Sequence, residues 1–459
     1  MGLIHPKEPG LPAGFVVGTA ASAYPTEGGA DLGGRGASLW DAYGAFPGRI
    51  SDGSSGRSAI DHFHHWPADL DLLTDLGAQA YRFSLSWPRV QPGGSGPGNR
   101  AGIDFYDRLI DRLLQAGIAP FVGLQHADMP IEVMERGGWL TRDTAIVFAD
   151  YAAVAAAAFG DRVAGWTTLD EPLVQMAYGY AIGIDAPGLT LLGGAFQATH
   201  HQLLAHGLAV RVLRDGATGA VGIVNQHTIV DPLSQRGHDL AAARFYDAYH
   251  NQQFADPVLL GRYPTTVLSM PGAETEVIFT GDLDIISAPL DFYGVNYAHP
   301  TTVAAAPDNS SVPFSLEVDD GLPLTAAGWP ISPPSLTRLL VELSARYPAL
   351  PPIYVTGVGA AFADPPAAPD ADELLDADRI AYLDAHLEAI DAAVAAGCDV
   401  RGYFHYGLLD AWEWAEGFTR KFGLVKVHPD TLERSPRASY GHFRELIRRR
   451  GDPGSRQGA

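Results

Sequence analysis

The stretch AYRFSLSWPRVQPGGSGPGNRAGIDFYDRLIDRLLQAGIAPFVGLQHA, from Ala80 to Ala127, decides the fold. It opens on a short apolar run and crosses a loop rich in Gly and Pro. An amphipathic segment, DFYDRLIDRLLQAG, then leads into a second apolar run from Ala119. Strand, helix and strand in that order form the unit of a parallel sheet. Gly117, which closes the middle segment, suits the end of a helix.

The same unit repeats outward in both directions. Strand-like runs begin at Phe15 (FVVGTAASA), Ala80, Ala119, Ala164 (AGWTTLDEP), Ala220 (AVGIVNQH), Leu290 (LDFYGVNYA), Pro351 (PPIYVTGVG) and Val400 (VRGYFHYGLLDAWEW). Helical stretches such as TAIVFADYAAVAAAAFG and RIAYLDAHLEAIDAAVAAG separate them. Eight strand–helix alternations predict an α/β fold, a (β/α)8 TIM barrel, because eight parallel strands close such a barrel. No composition break cuts the chain, so one domain is expected over residues 1–450, with a flexible tail at 451–459. Thr301 to Pro334 and Ala360 to Asp372 are rich in Pro and Asp and are expected as loops at the C-terminal face of the barrel.

Composition narrows the function. The 459 residues carry 53 acidic and 31 basic side chains, a formal charge of -22. So acidic a surface repels phosphate backbones and anionic lipid, so neither nucleic acid nor membrane is expected as a partner. The single cysteine, Cys398, cannot form an internal disulfide. No apolar run approaches the ~20 residues of a bilayer span, and MGLIHPKEPG lacks the apolar region of a signal peptide. A cytoplasmic protein is expected. No Gly-rich phosphate loop precedes a helix, so no cofactor is expected. The run Asp61-His62-Phe63-His64-His65 has the wrong helical spacing for a metal site, and none is expected.

In a TIM barrel, chemistry sits where strands end in loops at the C-terminal face. Those ends carry Glu27, Arg82, His126, Asp128, Asp170, Glu171, Asn296, Tyr297, Asp410, Glu413 and Trp414. Carboxylates accept hydrogen bonds from hydroxyls, aromatic faces stack on sugar rings, and a shielded carboxylic acid can protonate a leaving oxygen. A polyhydroxylated small molecule is the expected partner, with a homo-oligomer left open.

The motifs GTAASAYPTEGG, YRFSLSWPRVQP, FGDRVAGWTTLDEP, DFYGVNY, GWPISP and GYFHYGLLDAWEWAEGFTRKFGLVKV then identify a resemblance. The chain resembles the family-1 glycoside hydrolases, the β-glucosidase group, along nearly its whole length. The resemblance implies that Glu171, in Asp170-Glu171-Pro172, is the acid/base residue, with Asp170 in place of the family's asparagine. It also implies that Arg82 is the arginine that pairs with the nucleophile and His126 a sugar-binding histidine. Glu413 and Trp414 match the family's sugar-binding glutamate and tryptophan, and Asn296 and Tyr297 lie in its NYY stretch.

Other positions depart from the family. Its nucleophilic glutamate stands in a Thr-Glu-Asn-Gly motif, and the matching residues here are Thr356, Gly357, Val358 and Gly359. Pro25 replaces a glycone-binding glutamine, Ala127 a tryptophan, Ala298 the tyrosine that orients the nucleophile, and Tyr406 a wall tryptophan. These losses cluster in one subsite, which reads as a remodelled pocket.

A retaining glycosidase needs two carboxyl groups ~5 Å apart, one of them the nucleophile. Glycine at 357 supplies none, so ordinary double displacement is not expected. The sequence reading is an atypical enzyme using Glu171 as general acid/base on a glycoside or sugar-like substrate. Inverting hydrolysis, transfer, elimination and ring closure all stay open. The alternative is a non-catalytic sugar or small-molecule binder. Asp170 reads either as a replacement base or as a charge partner for Arg82, and the second is favoured. Two adjacent carboxylates in a shielded mouth are expected to push their pKa values apart.

Overall fold

The computed structural model describes residues 11–307, 310–318, 321–364 and 375–451. Each apolar run becomes a strand: β1 (Val16–Ala21), β2 (Ala80–Ser84), β3 (Ala119–His126), β4 (Gly165–Asp170), β5 (Ala220–His227), β6 (Phe292–Tyr297), β7 (Ile353–Val358) and β8 (Val400–Tyr406). All neighbours pair parallel, and β8 pairs with β1 to close the barrel. The strands are mostly buried because helices cover their outer faces, which explains continuous apolar runs in place of alternation.

The helices bury single stripes. In Arg100–Gln115, Phe105, Tyr106, Leu109, Ile110 and Leu113 are buried, the spacing of one helical face. Helix His62–Leu76 ends at Gly77, whose φ of 75° is the left-handed conformation that stops a helix and favours glycine. Inside the barrel, at the N-terminal end, Phe121 packs on Phe404 and Tyr354 at centroid distances of 5.2 and 5.7 Å. Gly165 makes room for them, since a Cβ there would lie 2.5 Å from the Phe121 ring. This plug leaves the opposite, C-terminal end to polar groups.

Regularity breaks at one place that bears on function. Strand β7 shifts register against both β6 and β8 after Val355, and Gly357 pairs with Asn296 just past the shift. Such a bulge re-aims the strand end.

Part of the expected loop region is ordered differently. Thr301–Ala305 and Phe314–Glu317 form strands that join Val230–Pro232 in a small sheet. Val303 seals this sheet against Ala242 and Tyr246 of the helix Gly237–Asp247. Most of the loop expected from Ala360 to Asp372 lies outside the described residues, as does the expected tail beyond Gly451. Among the described residues, no helix is long and apolar enough to cross a membrane.

Candidate active site

Strand ends β2, β3, β4 and β6 bring Arg82, His126, Asp170, Glu171 and Asn296 into one hydrogen-bonded cluster. Arg82 Nη2 donates to Asp170 Oδ2, and Nη1 donates to the Thr356 carbonyl at 3.3 Å. Both charged side chains are almost fully buried, so the guanidinium and the carboxylate neutralise each other away from water. Burial alone would raise Asp170, but Arg82, His126 and the Asn296 amide hold its carboxyl below the usual carboxylate range.

Glu171 is held differently. Asn296 Nδ2 donates to Glu171 Oε1 at 2.9 Å and lies 3.4 Å from Asp170 Oδ1. His126 Nε2 lies 3.3 Å from Glu171 Oε2, and its Nδ1 lies 2.6 Å from Ser22 Oγ. Burial pulls the imidazole toward neutrality, but Asp170 and Glu171 raise its pKa above the ordinary histidine value. Of the two adjacent carboxylates, Glu171 is the reachable one, with 17% of its side chain exposed against 4% for Asp170.

A second polar pair faces this cluster from the end of β8 and the loop after it. Tyr406 donates to Glu413 Oε2 at 2.9 Å. Burial, with the Asp410 and Glu171 charges beyond it, pushes the Glu413 carboxyl up to about 7. Trp414 sets its ring edge-on to His126 at 5.2 Å and packs on Trp40 at 5.0 Å. Ala127, Glu171 and Trp414 all take a left-handed backbone, with φ of 51°, 51° and 52°. Non-glycine residues in that region are strained, and such strain gathers at functional sites.

Gly357 stands where β7 reaches this cluster. A Cβ on it would lie 2.7 Å from Asn296 Oδ1 and 2.8 Å from Asn296 Cγ. The Asn296 carboxamide therefore occupies the space beside the glycine, fixed there by Thr356 Oγ1, which donates to Asn296 Oδ1 at 2.7 Å.

Several expected mouth residues are committed to other partners. Tyr297 turns to the outer face of β6, because successive strand residues alternate and Asn296 takes the inner place. Its hydroxyl donates to the Ser332 carbonyl at 2.9 Å. Glu27 and Asp410 are spent on buried ion pairs with Arg89 and Arg437, both at 2.8 Å. Asp128 accepts from Ser38 Oγ, and burial pushes its pKa up to about 7. Pro25 is buried in the turn Ala23–Glu27, where its carbonyl accepts from the Trp412 amide. The Ala127 carbonyl accepts from Trp40 Nε1 at 2.9 Å. His62 and His64 pair with Asp69 and Asp61, each at 2.7 Å. Ser22, which holds His126, was not singled out by the sequence, since a lone serine in GTAASAYP carries no signal.

The glycosyl hydrolase family 1 model matches residues 7–452. The chain is 42% identical to the thermostable β-glucosidase B of Thermobispora bispora over 96% of this chain and 91% of that protein. It is 38% identical to a 1,4-β-D-glucan glucohydrolase of Thermotoga neapolitana over 96% and 99% of the two. Among solved structures, the psychrophilic β-glucosidase of Micrococcus antarcticus superposes with a TM-score of 0.92 at 40% identity, covering 96% and 98% of the chains.

Proposed function

The chain belongs to glycosyl hydrolase family 1, and we propose that it is a β-glucosidase-like enzyme that works without a nucleophilic carboxylate on β7. Glu171 acts as its general acid/base on a β-glycoside or a sugar-like scaffold. The observation that carries this reading is the pairing around Gly357. Arg82 is committed to Asp170, the space beside the glycine holds the Asn296 carboxamide, and Glu171 alone of the two adjacent carboxylates meets solvent. Glu171 donates its proton to the departing oxygen as the C–O bond breaks. The cation left behind is quenched by water, by an acceptor hydroxyl, by loss of a neighbouring proton or by a hydroxyl of the same molecule, and the proton released in each case passes to the Glu171 carboxylate or to solvent. Those four outcomes are inverting hydrolysis, transfer, elimination and ring closure.

The relatives favour a second reading, ordinary β-glucoside hydrolysis, which by double displacement would retain configuration. That reading requires another carboxylate, Asp170 or Glu413, to attack the sugar. Asp170 would have to leave Arg82, and Glu413 is pushed toward its protonated, non-nucleophilic form.

The test is an assay of methyl β-glycosides, whose poor leaving group needs protonation, with the product anomer read by proton NMR, on the parent and on Glu171→Gln. We expect turnover several orders of magnitude below that of a working β-glucosidase, because losing a catalytic carboxylate costs that much. Any remaining turnover should be lost in Glu171→Gln. Fast hydrolysis with retained configuration would support the second reading. Residual turnover unchanged in Glu171→Gln would remove Glu171 from the mechanism.

A further inference from the structure

The proton that Glu171 delivers has one oxygen to sit on. Thr356 Oγ1 donates to Asn296 Oδ1 at 2.7 Å, which turns the carboxamide so that Nδ2 faces the two adjacent carboxylates. There Nδ2 donates to Glu171 Oε1 at 2.9 Å and lies 3.4 Å from Asp170 Oδ1. The reverse orientation would set Oδ1 against carboxylate oxygens of both residues, acceptor against acceptor. Glu171 Oε1 is therefore an acceptor, and a proton on this side chain sits on Oε2. That oxygen lies 3.3 Å from His126 Nε2.

The other ring nitrogen is fixed as a donor. His126 Nδ1 has Ser22 Oγ at 2.6 Å and Asp170 Oδ2 at 3.5 Å, and a carboxylate that close favours an N–H over a lone pair. Nδ1 thus keeps its hydrogen, and Nε2 is the nitrogen that gains or loses one. An O–H on Glu171 and an N–H on His126 cannot both point into the gap between Oε2 and Nε2. One proton is shared there, and it titrates with the pair.

The groups around the ring decide where that proton rests. Asp170 and Glu171 face it from the end of β4, Arg82 from β2 and Glu413 from the loop after β8, while Ser22 and Trp414 carry no charge. Burial works against a charged imidazole and Arg82 opposes it too. The two carboxylates on β4 outweigh both and hold the ring above the ordinary histidine value.

We propose that His126 and Glu171 form a dyad with one exchangeable proton, in which His126 supplies the proton that Glu171 hands to the leaving oxygen. This rests on the reading of Glu171 as the acid/base residue. The proton leaves Nε2 for Oε2 and passes to the departing oxygen as the C–O bond breaks. The imidazole is then neutral and Glu171 ionised. Quenching of the cation releases one proton, which returns through Oε2 to Nε2, so the dyad ends as it began. His126 acts through Glu171, beyond the sugar contact that the resemblance implies.

The test follows the ring nitrogens of the full chain, labelled with nitrogen-15 histidine, by NMR against pH. The His126 signals are those lost in His126→Gln, or in His126→Asn should the first variant fail to fold. The ring is expected to titrate above about pH 6.5. Glu171→Gln and Asp170→Asn should each lower its midpoint by about one pH unit or more. Titration below about pH 6.5, or a midpoint unmoved in Glu171→Gln, overturns the proposal. Turnover of a methyl β-glucoside gives a second readout. In the parent it should fall as pH rises through the His126 midpoint. In His126→Gln, which is polar but carries no proton to give, that fall should move to the acid side by about one pH unit or more. A fall that stays in place overturns the dyad and leaves Glu171 as the acid. Turnover untouched in Glu171→Gln would instead overturn the reading of Glu171 itself.

Discussion

At the residue scale the account turns on Gly357, Asn296 and Asp170. A glutamate placed at 357 meets the Asn296 carboxamide within the first side-chain bond, and Asn296 is the group that holds Glu171. Gly357→Glu should therefore not yield a working β-glucosidase. Its turnover on an aryl β-glucoside should stay well below the ~1 per second of ordinary enzymes, and turnover at or above that level would show an intact glycone pocket. Asp170→Asn tests the ion pair. Removing one partner of a buried pair leaves an uncompensated charge, here on Arg82, at a cost of about 3–5 kcal/mol. Thermal unfolding should shift down by several degrees, and an unchanged midpoint would mean that Arg82 finds another partner. The sequence named these residues through the family resemblance, and it favoured the pairing of Asp170 with Arg82. It could not say what lies beside Gly357, because that depends on the bulge that sets β7 against Asn296.

At the scale of elements, the eight strands were legible because each is an apolar run followed by a helix with a single buried stripe. The strand ends were less so. Glu27 and Asp410 sit at the expected level but turn to Arg89 and Arg437, partners distant in sequence that no local pattern reveals. The loop after β8 offers a test of pH. The fold raises the Glu413 carboxyl from 4.5 to about 7, so it favours the protonated form. That contribution is fully present below pH 4.5 and is lost as pH rises through about 7, on the order of 3 kcal/mol in all. Glu413→Gln lacks this titration. Its stability relative to the parent should rise between pH 5 and pH 8, measured by denaturant unfolding. A difference that stays flat with pH would place the Glu413 carboxylate in a more polar setting.

At the scale of the whole molecule, the closed eight-strand barrel and the family agree. The aromatic plug at one end of the barrel and the polar cluster at the other leave a single face for chemistry, and Glu171 lies on it. Whether that face runs through a covalent sugar–enzyme ester is the central question, because only a second carboxylate could form one. Intact-mass spectrometry after incubation with 2,4-dinitrophenyl 2-deoxy-2-fluoro-β-D-glucopyranoside answers it, since this reagent traps such esters. The account predicts a mass unchanged from the untreated chain, while a gain of one fluoroglucosyl unit, mapped to Asp170, Glu413 or any other carboxylate, would contradict it.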